Sequence, residues 1–301
     1  MKLGLCCISI SLKKQGVKFQ KMTYSRFKSL PRNEALSILS ERILNNLQVT
    51  NKIINFCHDS KMSSYRVSSD LFPVINHPDV NLRLDQLPNS FYIFNELFRI
   101  KDTIKKTKLR ITAHPSEYIS LTSENEKVIK NSITDLKAHA NLFDWLDLPK
   151  SYEAPLNIHC RKDGDPEEIS SRFMSNFKKL PYEVRSRLVL EVNDNKKGVW
   201  SIKNLCKFFN KRHGIPITFD SLHHSFCNHD VSEKEAFDMA YKTWKDQGFT
   251  PVFHYSEGVD GTRKHAEYAT ELPKGYGKDV FWEVELKGKD MAIFKMLKEN
   301  E

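Results

Sequence analysis

The chain has 301 residues, 40% of them hydrophobic, enough to bury a substantial core, and no apolar run approaches the ~20 residues of a membrane span. Its six cysteines are scattered without a C-x-x-C pair, which argues for free thiols in a reducing compartment, and residues 1–7 turn polar too soon for a signal peptide, so a soluble, cytoplasmic protein is expected. A formal net charge of +9 favours a polyanionic partner.

Residues 2–10 read as a first strand, and a long basic loop follows at about residues 11–33. No acidic residue occurs before Glu34, whereas Lys13, Lys14, Lys18, Lys21, Arg26, Lys28 and Arg32 crowd this stretch, with Phe19, Tyr24 and Phe27 interleaved. Cations neutralise phosphates and aromatic rings stack on exposed bases, so the stretch reads as a nucleic-acid-binding loop, against the plainer reading of a solvated, partly disordered one.

Asn33 is expected to cap a helix that keeps apolar spacing to about His58. A brief second strand over residues 64–68 precedes a helix over residues 88–105, with Phe91, Phe94, Leu97 and Phe98 on one face. Strand three ends at His114. The sequence Ser123-Glu124-Asn125-Glu126 fits a capping box and opens the next helix. Strand four ends at His159, a helix covers residues 166–180, and strand five ends at Glu191. Residues 202–211 are helical and strand six ends at Asp220. Ser232 caps a helix to about Gln247, strand seven ends near His254 and strand eight at Glu285, and residues 290–298 close the chain as a helix.

Eight strands separated mostly by helices imply a parallel sheet, and the expected fold is a single α/β domain over residues 1–301, a (β/α)8 TIM barrel. Functional groups of such barrels collect at the carboxyl ends of the strands, which is where His114, His159, Glu191, Asp220, His254 and Glu285 lie. One histidine at a strand exit is commonly structural; six consecutive exits with metal-type side chains are not a chance pattern. His223, three residues after Asp220, and His265, in the loop after strand seven, extend the set to eight. His58, His77, His139, His213 and His229 read as structural or exposed, and His224 is ambiguous. Mixed imidazole and carboxylate donors suit Mn, Zn or Fe, and eight exceed the need of one ion. Clustered divalent ions can make hydroxide from water and stabilise both attacking and leaving oxygens in phosphodiester displacement, so a nuclease is expected.

The residues also carry a resemblance. Tyr65-Arg66-Val67-Ser68-Ser69-Asp70-Leu71-Phe72-Pro73, His114-Pro115-Ser116-Glu117-Tyr118, Leu156-Asn157-Ile158-His159, Leu190-Glu191-Val192-Asn193-Asp194, Phe219-Asp220-Ser221-Leu222-His223-His224, His254-Tyr255-Ser256, His265-Ala266-Glu267-Tyr268 and Glu285-Leu286-Lys287-Gly288-Lys289 resemble, in order, the motifs of the UV damage endonuclease family. The resemblance implies a TIM barrel related to endonuclease IV-type apurinic-site enzymes. It implies incision of damaged double-stranded DNA immediately 5′ to cyclobutane dimers, 6-4 photoproducts and abasic sites, with Mn2+ in a cluster of up to three ions; two or three divalent ions, Zn2+ as the second choice, and a monomer are expected. His114, His159, Glu191, Asp220, His223, His254, His265 and Glu285 match the family's metal ligands, with Glu191 bridging two ions and Glu191, His223 and Glu285 as catalytic residues. Glu117 and Tyr118 match the positions that probe the duplex, joined in DNA binding by Lys13, Lys14, Lys18, Lys21, Tyr24, Arg26 and Lys28. This chain departs from the family where Glu117 replaces a usual glutamine and where Leu5 and Ser9 replace a tyrosine and an asparagine. Val252 also stands where a modifiable lysine often supplies an oxygen ligand, so the third metal position is expected to be weaker or empty. The competing functions are an apurinic-site endonuclease without photoproduct activity, a sugar isomerase or epimerase on a similar barrel, and a lesion-binding protein without catalysis.

Overall fold

The computed structural model describes residues 1–299. Short, β-branched apolar runs form eight parallel strands: β1 (Lys2–Cys6), β2 (Ser64–Val67), β3 (Arg110–Ala113), β4 (Leu156–His159), β5 (Leu188–Glu191), β6 (Ile217–Thr218), β7 (Val252–Tyr255) and β8 (Phe281–Val284). They are ordered β6-β5-β4-β3-β2-β1-β8-β7, so sequential strands are neighbours and β1 pairs with β8. The remaining seam is spanned by a parallel bridge between Asp220 and His254, where His254 N donates to Phe219 O at 2.9 Å. The result is the expected α/β barrel, whose strands are nearly all buried because helices cover them outside and side chains fill them inside. Among the described residues, no helix is long and apolar enough to cross a membrane.

The two ends of the barrel differ chemically. At the amino ends of the strands, Arg110 donates to the carbonyls of Glu153, Thr250 and Tyr152 at 2.9, 2.7 and 2.8 Å, and its guanidinium lies against Trp244 and Phe281. That plug is structural. The opposite end receives the imidazoles and carboxylates. Between β1 and β2 the backbones approach so closely that a Cβ on Gly4 would lie 1.9 Å from Ser64 Oγ, a contact only glycine avoids.

Several expectations are corrected in detail. The basic stretch is not one loop: Ser9 caps a short helix, Ile10–Lys14, and Thr23 caps another, Tyr24–Lys28. The long helix Arg32–Asp59 begins after Pro31 rather than at a capping Asn33. The helix Ser90–Thr107 buries Ile93, Glu96, Leu97, Ile100 and Ile104 and leaves Phe91 and Phe98 exposed. Two stripes share helical spacing there, and the barrel wall selected the aliphatic one over the bulkier aromatic one. Asn125, not Ser123, caps the helix Glu126–Trp145 by accepting from Lys127 N. Residues 206–210 form a π-turn inside the helical stretch expected at residues 202–211.

Candidate metal centre at the barrel mouth

Side chains two apart on a strand share a face, so each strand delivers one group to the rim and one to the layer beneath. Thr112 and His114, Asn157 and His159, Val252 and His254, and Glu283 and Glu285 are such pairs. His159 and Glu191 end β4 and β5 in direct register, His254 is level with Glu283, and His114 and Glu285 follow the last residues of β3 and β8. Asp220 leaves β6 as the N-cap of a helical turn, Ser221–Phe226, and its Oδ1 accepts from His223 N at 2.7 Å. That cap sets His223 beside the strand ends. Its cause is local: an Asp side chain satisfies a backbone N–H that the first helical turn leaves orphaned. His265 reaches the site from the loop after β7, where its bridge with Gly258 and a 2.6 Å hydrogen bond from Nδ1 to the Glu285 carbonyl hold it.

Glu191 is the hub. Its carboxylate lies 3.1 Å from His114 Nε2, 3.8 Å from His159 Nε2, 3.2 Å from His223 Nδ1 and 3.1 Å from His254 Nδ1, and it accepts from Asn157 Nδ2. Two groups of donor atoms converge tightly enough for an ion, His114 with His159 and Glu191, and Glu191 with Asp220 and His223. Glu191 belongs to both. Glu285 lies 3.5 Å from His254 Nδ1 and 3.9 Å from His265 Nδ1. All eight sequence-expected ligands therefore meet at one mouth.

The electrostatics are those of a buried site balanced by its own counter-charges. Burial alone would raise the Glu191 carboxyl, yet His254, His159, His114 and His223 hold it well below the usual carboxylate range. Burial pushes the Asp220 carboxyl up and the His159 imidazole down to about 3. Burial also opposes charge on His223 and His254, but Asp220 and Glu191 raise His223 well above normal, and Glu191 leads the carboxylates that raise His254 to about 10. Asp220 Oδ2, His159 Nδ1 and His254 Nδ1 are buried without a hydrogen-bond partner. A buried polar atom without a partner is costly, and a divalent cation among these donors would satisfy Asp220 Oδ2 and, once its proton leaves, His254 Nδ1, so these residues fit the metal the resemblance implies; His159 turns Nε2, not Nδ1, toward Glu191.

Four contributors, Arg66, Thr112, Asn157 and Glu283, escaped the sequence reading. Arg66 of β2 is buried between two carboxylates, with Nε 2.5 Å from Glu283 Oε2 and Nη1 donating to Glu285 Oε1. Thr112 donates to Glu283 Oε1, and Asn157 to Glu191. For Thr112, Asn157 and Glu283 the signal was the period-2 alternation, which places each in line with a candidate ligand.

The expected DNA-contacting residues lie outside this cluster. Glu117 and Tyr118 stand in the loop after β3; Tyr118 is 83% exposed, and Glu117 Oε2 is 3.9 Å from Arg161 Nη2. Lys13, Lys14, Lys18, Lys21, Arg26 and Lys28 are exposed, with Lys21 paired to Asp70 at 2.9 Å. The interleaved aromatics do not face solvent as a set: Phe27 is buried, Phe19 packs against the core, and Tyr24 stacks on His77 with ring centroids 3.9 Å apart. Leu5 and Ser9 are buried, as is Val252.

The family model for UV-endonuclease UvdE matches residues 1–301. The UV DNA damage endonuclease of Nostoc sp. is 31% identical over 302 residues, covering 97% of this chain and 88% of its own length. That of Bacillus pumilus is 28% identical, covering 93% and 88%. The crystal structure of SacUVDE superposes with a TM-score of 0.82 at 29% identity, covering 99% of this chain and 97% of that one. A D-psicose 3-epimerase from Clostridium cellulolyticum H10 shares the barrel alone, with a TM-score of 0.53 at 11% identity. A family model matched over residues 1–301, with a relative 31% identical over 97% of it, places this chain in the UV-endonuclease UvdE family.

Proposed function

We propose that this protein incises the DNA backbone immediately 5′ to UV photoproducts, and at abasic sites, with divalent metal ions held at the barrel mouth. Its family makes it a DNA repair endonuclease; the lesion, the cut position and the metal are the proposal. The single observation that carries the metal-dependent reading is the Glu191 carboxylate shared by two ion-sized donor groups. Ions so held supply Lewis acidity and a nucleophile at neutral pH, with Mn2+ suited to the N and O donors and Zn2+ next.

The chain's own residues perform the rest. His114 Nδ1 donates to the Pro115 carbonyl at 3.1 Å and His265 Nδ1 to that of Glu285. Each bond leaves the Nε2 lone pair for coordination. The exposed basic segment grips phosphates, and Tyr118 enters the duplex beside the lesion. Damaged bases stack and pair poorly, so extrusion costs less at a lesion than in intact DNA. A cavity of about 510 Å³ beside Tyr118, lined among others by Phe72, His77 and His139, is roomy enough for a displaced base.

The test is incision of an end-labelled duplex carrying one defined photoproduct, with and without Mn2+, against undamaged and abasic duplexes. Metal-dependent cutting immediately 5′ to the photoproduct is expected, and Glu191→Gln should lower it by at least about a thousand-fold with the fold retained. Cutting only at the abasic site would reassign the protein to apurinic-site repair, and tight binding without cutting would remove catalysis.

A further inference from the structure

Glu283 is a buried acid that the ligand set does not use. It stands two residues before Glu285 on β8, at 1% exposure, in the layer below the mouth. Its Oε2 lies 2.5 Å from Arg66 Nε and 3.3 Å from His254 Nε2, and its Oε1 accepts from the Thr112 hydroxyl. Three elements, β2, β3 and β7, thus present hydrogen-bond donors to one carboxylate at the centre of the barrel. A charged group so deep is costly unless something recovers the desolvation. Arg66 compensates the charge. The carboxylate's position does more than balance Arg66, because the ring it touches is a candidate ligand with one nitrogen left over.

That ring is His254, itself 1% exposed. Nε2 faces Glu283, while Nδ1 faces the metal-binding carboxylates, 3.1 Å from Glu191 Oε1 and 3.5 Å from Glu285 Oε1, with no hydrogen-bond partner of its own. An imidazole that ligates through one nitrogen must carry its proton on the other, and a carboxylate on that other nitrogen fixes both tautomer and ring plane.

We infer that Glu283, braced by Arg66 and Thr112, is a positioning residue that accepts the Nε2 proton of His254 and thereby commits His254 Nδ1 to the metal centre. The inference rests on the proposed metal site and deepens it: Glu283 is not a ligand and touches no substrate. It also accounts for Arg66, which holds Glu283 under the ring and Glu285 at the mouth with one guanidinium. A neutral amide cannot replace the carboxylate, because Gln offers one acceptor oxygen to three donors and turns its own N–H2 toward one of them.

The experiment is Mn2+ titration by calorimetry of the wild-type full-length chain and of Glu283→Gln, paired with 15N-histidine spectra of the Zn2+-loaded proteins, the His254 signals being assigned with His254→Gln. The expected result is Mn2+ affinity about 10- to 100-fold weaker in E283Q. In the wild type, His254 should show a protonated Nε2 and a metal-bound Nδ1, a pattern lost or mixed in E283Q. Unchanged affinity and unchanged His254 signals in E283Q would overturn the inference while leaving the metal site standing. A wild-type chain that binds no Mn2+ would sink both. Because breaking a buried ion pair is strongly destabilising, E283Q could fail to fold. The wild-type spectra then decide alone, since a proton on Nδ1 contradicts the assignment, and Thr112→Val, which removes only one brace, should weaken Mn2+ binding several-fold.

Discussion

Asp220 and His254 meet across the one seam of the barrel that no regular strand pairing closes. β6 and β7 have their link there, a parallel bridge between these two residues and a backbone hydrogen bond from His254 N to Phe219 O. Two of the side chains that would hold metal are therefore on the backbone that completes the fold, and separating their structural and chemical roles takes variants chosen for one or the other.

Asp220→Asn keeps the side-chain oxygen that caps the turn Ser221–Phe226 and removes the charge. Urea unfolding of the metal-free variant should stay close to wild type, because Asn and Asp cap about equally well, while Asp220→Ala should lose about 1 kcal/mol. Both should lose metal at the group shared with His223, read by Mn2+ stoichiometry. Destabilisation of Asp220→Asn as large as that of Asp220→Ala would contradict the division of labour.

Tyr118 is exposed and holds nothing in place, so Tyr118→Ala should change unfolding free energy by no more than about 0.5 kcal/mol and leave Mn2+ binding intact. Lesion binding should weaken by the ~1–3 kcal/mol that one base stack contributes, about 5- to 160-fold in Kd. Glu117→Gln should tighten binding to photoproduct DNA by removing a carboxylate from the face that meets phosphates and bases; equal or weaker binding would show that the carboxylate does not face the DNA.

The basic segment tests by salt. Replacing Lys13, Lys14 and Lys18 with Gln should weaken damaged and undamaged duplexes alike and lower the slope of log K against log salt by about 1 for each phosphate that is no longer neutralised. Weakening confined to lesion DNA would instead give these residues a part in lesion reading.

The metal-free protein should lose stability in base. The His254 imidazole rises from its ordinary 6.5 to about 10, so its contribution is full below pH 6.5 and lost as pH climbs through about 10. The Glu283 carboxyl is the reverse case. Burial would raise it, but Arg66 leads the groups that hold it at about 2 rather than 4.5, so its contribution is present above pH 4.5 and lost as pH falls toward 2. For these two groups the chelated protein is most stable between pH 4.5 and 6.5. Urea midpoints measured with a chelator should fall between pH 6.5 and 10, and His254→Gln should flatten that fall.

The barrel, and the convergence of its candidate ligands at one mouth, were legible in the chain itself. Parallel strands buried on both sides must be short and apolar, and the groups that end them must be functional or capped, so His114, His159, Glu191, Asp220, His254 and Glu285 marked both the strands and their carboxyl ends. Local periodicity has no such power where two faces compete. The helix Ser90–Thr107 carries an aromatic and an aliphatic stripe at the same spacing, and only packing against the barrel chose the aliphatic one. The same holds for Tyr24, which stacks on the distant His77; no local signal distinguishes a base-stacking ring from one that packs inward.

By itself, then, the sequence determined which residue types end each strand and the order in which they come, because those depend on neighbours along the chain. Tertiary structure alone decided that Glu191 is the shared centre of four imidazoles and that Arg66 and Glu283 lie beneath it. Residues 66 and 283 are 217 positions apart, and only closure of β1 on β8 brings their charges within a hydrogen bond in a core where burial makes that pairing necessary.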